Sequence, residues 1–181
     1  MSILWEIQKY EDLTQLLKKA EKFATEKHKK DVRKSGEHYI VHPRAVAKLV
    51  KEYGGDLEQQ AAAWLHDVIE DTGVTYQELV EEFNQTIADY VQFLTNPETF
   101  PPEGKSVYIA KKLNSRPDYP AVTVKLCDRL NNVSDFATAG KKFVEKYKKG
   151  TEELLANLEM NKFNNTQKQI IDKIKSEIEK Y

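Results

Sequence analysis

The stretch Ala61-Ala62-Ala63-Trp64-Leu65-His66-Asp67-Val68-Ile69-Glu70-Asp71-Thr72 constrains this chain more than any other. On a helix, at about 100° per residue, His66 and Glu70 stack at i and i+4, Asp67 and Asp71 do the same, and all four share an arc of ~140°. Apart from the closing threonine, the other positions are Ala, Trp, Leu, Val and Ile. A solvated amphipathic helix does not explain ionisable groups set against so apolar a run. The helix is expected to be mostly buried, with its polar stripe lining a cleft or holding a metal.

The rest of the chain reads as helices around that one. From Tyr10 to about His28, Leu13, Leu16, Leu17, Ala20, Phe23 and Ala24 recur at three and four residues. His42-Pro43 opens the next helix, which leaves His42 exposed at a helix end. Asp56 caps the central helix, which is expected to run unbroken to about Asp71 and to stop at Thr72-Gly73. Thr75-Tyr76-Gln77-Glu78 spells a capping box. Prolines 97, 101 and 102 with Gly104 make residues 96–104 a loop. Beyond it, Asp128, Asn131, Asn132 and Asp135 form a second polar stripe, at i, i+3, i+4 and i+7, on an otherwise apolar helix. Apolar periods near residues 143–147, 154–158 and 170–178 give C-terminal helices. Without a convincing period of two, the fold class is all-α, a helical bundle. At 181 residues the chain fits a single domain, residues 1–181, with a core at about 10–150 and C-terminal helices over 151–181.

Charge and cysteine content narrow the function. Lys and Arg number 28 against 29 Asp and Glu, a net charge of -1, so neither nucleic acid nor an anionic membrane is an expected partner. The one cysteine, Cys127, leaves no disulfide and no thiolate zinc pair, and Leu126 and Leu130 beside it suggest a buried small hydrophobe. The N-terminus has no basic region, and no stretch approaches ~18 apolar residues. A soluble, cytoplasmic protein is expected.

His42, His66, Asp67 and Asp128 make a mixed nitrogen and oxygen donor set suited to Mn²⁺, Fe²⁺ or Zn²⁺. Glu70 or Asp71, one turn along, stands where a general acid or base is useful beside a metal-activated water. The four histidines are His28, His38, His42 and His66, with none downstream, which argues for one divalent ion rather than two. Arg33-Lys34-Ser35-Gly36-Glu37-His38 is a loop whose cations point to an anion, although composition alone favours a solvated basic loop.

The order His42, His66-Asp67, Asp128 resembles the HD-domain metal-dependent phosphohydrolases. Three motifs sharpen the resemblance to the hydrolase domain of RelA/SpoT-type alarmone enzymes, over roughly residues 10–150. They are Arg33-Lys34-Ser35-Gly36-Glu37-x-Tyr39-Ile40-x-His42-Pro43, Leu65 to Thr72, and Lys125-Leu126-x-Asp128-Arg129-Leu130-x-Asn132. The resemblance implies an all-helical HD fold in which His42, His66, Asp67 and Asp128 ligate Mn²⁺ and Glu70 and Asp71 orient or deprotonate the attacking water. It implies that Arg33 stacks on a purine, Lys34 and Ser35 lie along the base or phosphates, and Asn132 touches the ribose. The implied reaction removes the 3′-pyrophosphate of (p)ppGpp, leaving GDP or GTP. With no room for a synthetase domain, the chain looks like the small stand-alone alarmone hydrolases. It departs from the family's pattern at His38, at Asn131, and at Gln92-Phe93-Leu94-Thr95-Asn96-Pro97, where Gly-Val-Thr-Lys is usual. Relatives of this shape act on other nucleotides, so an adenine alarmone, the 2′-phosphate of NADPH or a deoxynucleoside monophosphate are alternative substrates. A non-catalytic nucleotide-binding module is the alternative outside enzymes.

Overall fold

The computed structural model describes residues 3–33 and 36–181. Among them the protein is helical, and the single bridge of β type joins Val32 to His38. Packing divides the chain into two compact units, Met1–Asn96 and Pro97–Tyr181.

The first unit consists of α1 (Ile3–Lys27), α2 (Val41–Glu52), α3 (Leu57–Leu65), α4 (Val68–Thr72), α5 (Tyr76–Glu82) and α6 (Gln85–Leu94). At its centre lies α3, against α1, α2 and α6. Ala61, Ala62, Ala63 and Leu65 are wholly buried, while Glu58, Gln59 and Gln60 in its first turn are half-buried, and the alanines let neighbouring backbones approach closely. Asp56 caps it: the Gln59 N–H donates to Asp56 Oδ1 at 2.8 Å while the Asp56 N–H donates back to Gln59 Oε1 at 2.9 Å. Gly55, just before, has no room for a side chain, since a Cβ there would lie 2.4 Å from Val50 Cγ1.

Two local expectations change. Helix α1 starts at Ile3 rather than Tyr10, because nothing in the intervening residues breaks a helix, and only Ala20 and Ala24 in it are buried. At α5 the Thr75 hydroxyl accepts from the Glu78 N–H at 3.1 Å, but the Glu78 carboxylate takes Lys27 Nζ at 2.8 Å. The cap is therefore half a box, and the other half ties α5 to α1.

The second unit holds α7 (Lys105–Ser115), α8 (Ala121–Ser134), α9 (Lys141–Ala156) and α10 (Asn165–Ile178), with 3₁₀ turns at Asp135–Thr138 and Met160–Lys162. Packing pairs α8 with α10 and α7 with α9. Val122, Val124, Cys127, Ile170, Ile171 and Ile174 are wholly buried, so Cys127 is the small hydrophobe its neighbours suggest. Because α8 ends at Ser134, Asp135 leaves the stripe and falls in the 3₁₀ turn.

At the end of α10, Lys180, just past the helix, donates to Glu177 Oε2 at 2.6 Å, and Lys173 stands 3.0 Å from Oε1. The Lys180 hydrogen bond, ahead of Lys173, holds the Glu177 carboxyl below its ordinary 4.5 against the opposing effect of burial. A depressed carboxyl stabilises the fold above its unfolded pKa, and that contribution is lost as pH falls through the folded value. The parent should therefore melt above Glu177→Gln at pH 7, and the gap should close as the pH drops below 4.5. Melting curves separated by the same interval at every pH would remove this assignment.

Candidate functional site

The site forms where the central helix stops. An unbroken helix would send residues 66 and 67 about 100° apart. Instead α3 ends at Leu65 and α4 begins at Val68, which corrects the expectation of one helix from Asp56 to Asp71. His66 keeps φ -59° and ψ -27°, while Asp67 takes φ -107° and ψ -3°, in the sparsely allowed bridge region where active-site residues often lie. The turn brings the consecutive side chains together, with His66 Nε2 2.9 Å from Asp67 Oδ2.

His42 joins them. It does sit in the first turn of α2, but it is 3% exposed rather than open at a helix end, because α2 lays that turn against α3. Its Nε2 is 3.1 Å from His66 Nε2 and 3.8 Å from Asp67 Oδ2. His66 Nδ1 faces the Ala63 carbonyl at 2.7 Å. A carbonyl can only accept, so Nδ1 carries the proton and Nε2 keeps its lone pair. Two buried imidazole nitrogens, one held in the ligating tautomer, and a carboxylate oxygen thus converge, and this donor chemistry fits a divalent ion of borderline hardness.

Two residues behind these were not singled out in the sequence. Tyr39 donates its hydroxyl to Asp67 Oδ2 in a short hydrogen bond, the outer-shell arrangement that orients ligating carboxylates. His28, 1% exposed, packs its ring 4.8 Å from that of Tyr39 and holds Asp31 Oδ2 at 2.9 Å through Nδ1. Its Nε2 is buried without a hydrogen-bond partner among the described residues. The Tyr-Ile-x-His spacing was the only available signal, since it puts Tyr39 one turn before His42.

Asp67 occupies the position before α4, and Glu70 and Asp71 follow three and four positions on, on the same side of the helix. Both are exposed. Partial desolvation of its carboxyl, then the neighbouring Asp67 charge, raise the Asp71 pKa above the ordinary aspartate range, with smaller rises from Glu70 and Asp31 and an opposing pull from His28. The Glu70 carboxylate is held by Asn96.

In the second unit, Asp128 is 8% exposed on α8. Lys125 Nζ lies 3.1 Å from its Oδ2, and Asn132 Nδ2 donates to its Oδ1 at 2.7 Å. The Asn132 amide is thus engaged in orienting Asp128. In the basic loop, the Arg33 N–H donates to the Glu37 carbonyl at 2.8 Å and Gly36 turns the chain at φ +86°, a conformation glycine alone adopts freely. Lys34 and Ser35, expected along the base or phosphates, lie outside the described residues.

The family model described as HD domain matches residues 20–163. A guanosine-3′,5′-bis(diphosphate) 3′-pyrophosphohydrolase of Aquifex aeolicus is 36% identical over 170 residues, 87% of this chain but 24% of that protein. The chain thus spans about a quarter of the length of that curated relative, and 15% of a probable enzyme of the same name from Synechocystis. MESH1 of Xenopus tropicalis, also named a guanosine-3′,5′-bis(diphosphate) 3′-pyrophosphohydrolase, is 37% identical over 125 residues, 66% of this chain and 69% of that protein. Among solved structures, one described as a metazoan ortholog of SpoT that hydrolyzes ppGpp superposes with a TM-score of 0.73 at 20% identity, covering 88% of this chain and 93% of that one. That likeness shows a shared fold.

Proposed function

We propose, since this chain belongs to the HD-domain family, that it is a metal-dependent phosphohydrolase that removes the 3′-pyrophosphate of (p)ppGpp-like purine nucleotides. The observation that carries the reading is the convergence of His42, His66 and Asp67 at the end of α3. The curated relatives named above support the choice of reaction. We read both units as one HD-type domain, because the family match runs across them.

His42, His66 and Asp67 would hold one divalent ion together with Asp128, whose buried carboxylate is the remaining donor of the right kind. Mn²⁺ suits two nitrogens and two carboxylates. When bound, such an ion supplies Lewis-acid charge to a phosphoryl oxygen and lowers the pKa of water. Tyr39 fixes Asp67, the Ala63 carbonyl fixes His66, and Asn132 and Lys125 fix Asp128. Glu70 or Asp71 accepts a proton from the attacking water as its oxygen bonds to phosphorus. The bond from phosphorus to the ribose 3′ oxygen breaks, a proton returns to that oxygen, and pyrophosphate leaves. Arg33 stacks its guanidinium on the purine, a contact tolerant of base identity. Asn132 reaches the ribose from its place beside Asp128. Guanine is preferred on the relatives' names alone.

The test is kcat/KM for ppGpp, ppApp and a deoxynucleoside monophosphate with Mn²⁺-loaded protein. Turnover of a 3′-diphosphate with release of pyrophosphate is expected. Good turnover of the monophosphate beside none of either 3′-diphosphate would assign the chain to nucleotidase chemistry instead.

A further inference from the structure

Asn96 directs two separate donors at one carboxylate. Its backbone N–H reaches Glu70 Oε1 at 2.7 Å, and its Nδ2 reaches Oε1 at 3.0 Å and Oε2 at 3.3 Å. The partners lie 26 residues apart, so local sequence does not produce the contact; the end of α6 does. Thr95 leaves the helix with φ -61° and ψ 131°, its hydroxyl and N–H both donating to the Val91 carbonyl. Pro97 then disfavours a helical conformation at Asn96. Asn96 therefore stands beyond the end of the helix, with both donors on Glu70 of α4.

The bonds are unequal in a way that matters chemically. Oε1 takes both short contacts, and Oε2 takes only the longest. A carboxylate anchored through one oxygen offers the other to a proton. Glu70 stands three residues beyond Asp67 on the same helical side, so the direction of that second oxygen decides whether it meets a water beside the metal ligands.

We propose that Asn96 is a positioning residue that locks the Glu70 carboxylate through Oε1 and leaves Oε2 to take the proton from the attacking water; this rests on the hydrolase reading above. The consequence is that the segment joining the two units, although remote in sequence from every ligand, sets the rate of the chemical step.

A double-mutant cycle on the full chain, with ppGpp as substrate, tests the idea. Asn96→Ala should lower kcat on the order of 10- to 10²-fold, the usual result of misplacing a catalytic group, with KM, metal content and melting temperature unchanged. Asn96→Asp, which sets a second carboxylate against the first, should cost more. In a Glu70→Gln background, Asn96→Ala should cost nothing further. An equal loss in both backgrounds, or an unchanged or raised kcat in the parent background, overturns the proposal. Amide hydrogen exchange at Asn96 supplies a readout independent of any substrate: protection present in the parent should fall about 10-fold or more in Glu70→Ala. Unaltered protection overturns the proposal as well. A parent that turns over no nucleotide refutes the hydrolase reading, while the exchange measurement still decides whether Asn96 holds Glu70.

Discussion

Asp67→Ala should lose the bound metal and all turnover in the same step. Asp67 lies within hydrogen-bonding range of both an imidazole and a phenol, with His66 Nε2 2.9 Å away and Tyr39 donating to its Oδ2. Its removal would take out a proposed ligand together with the Tyr39 hydrogen bond. Loss of an outer-shell partner alone typically costs roughly 10–100-fold in metal affinity, so Tyr39→Phe should fall in that range and Asp67→Ala well beyond it. Metal analysis after gel filtration, beside turnover of ppGpp, measures both. Full occupancy in Asp67→Ala, or two ions per chain in the parent, would remove the assignment.

The second large effect separates chemistry from binding. Glu70→Gln preserves shape and can still meet Asn96 through its amide oxygen, yet it cannot accept a proton at neutral pH. Metal content and nucleotide affinity should be retained, while kcat falls on the order of 10²–10⁴-fold, the usual contribution of general acid–base catalysis. Equilibrium nucleotide binding together with single-turnover rates separates the two quantities. Unchanged turnover would leave Asp71, whose pKa is raised by partial desolvation and then by the Asp67 charge, as the group that takes the proton.

The helical architecture was legible because apolar residues at three- and four-residue spacing can bury themselves in few other ways, and because Asp56, Thr75 and Gly55 mark helix boundaries by mechanism. His42, His66 and Asp67 were legible for a different reason: the chain has only four histidines, and Asp67 directly follows one of them. The break after Leu65 was hidden, since Leu65, Val68 and Ile69 continue the apolar period straight through it. The burial of His42 was hidden too, because a helix start says where the backbone turns and nothing of what packs over it. Asn96 left no distinct signal, since an asparagine before a proline reads as a turn, and Tyr39 left only its spacing to His42; their partners lie 26 and 28 residues away. Such pairings arise only when the tertiary fold brings α4 back to the end of α6 and to the loop before α2.

The backbone at Asp67, with φ -107° and ψ -3°, limits what can be transplanted. A histidine and an aspartate written consecutively into a regular designed helix leave it about 100° apart, without the turn that here sets His66 Nε2 2.9 Å from Asp67 Oδ2. Anyone grafting this centre onto another scaffold must copy the interruption between the two helices before copying the ligands. The portable unit is a defect in a helix, with the Ala63 carbonyl on one side to set the imidazole and the Tyr39 phenol on the other to set the carboxylate.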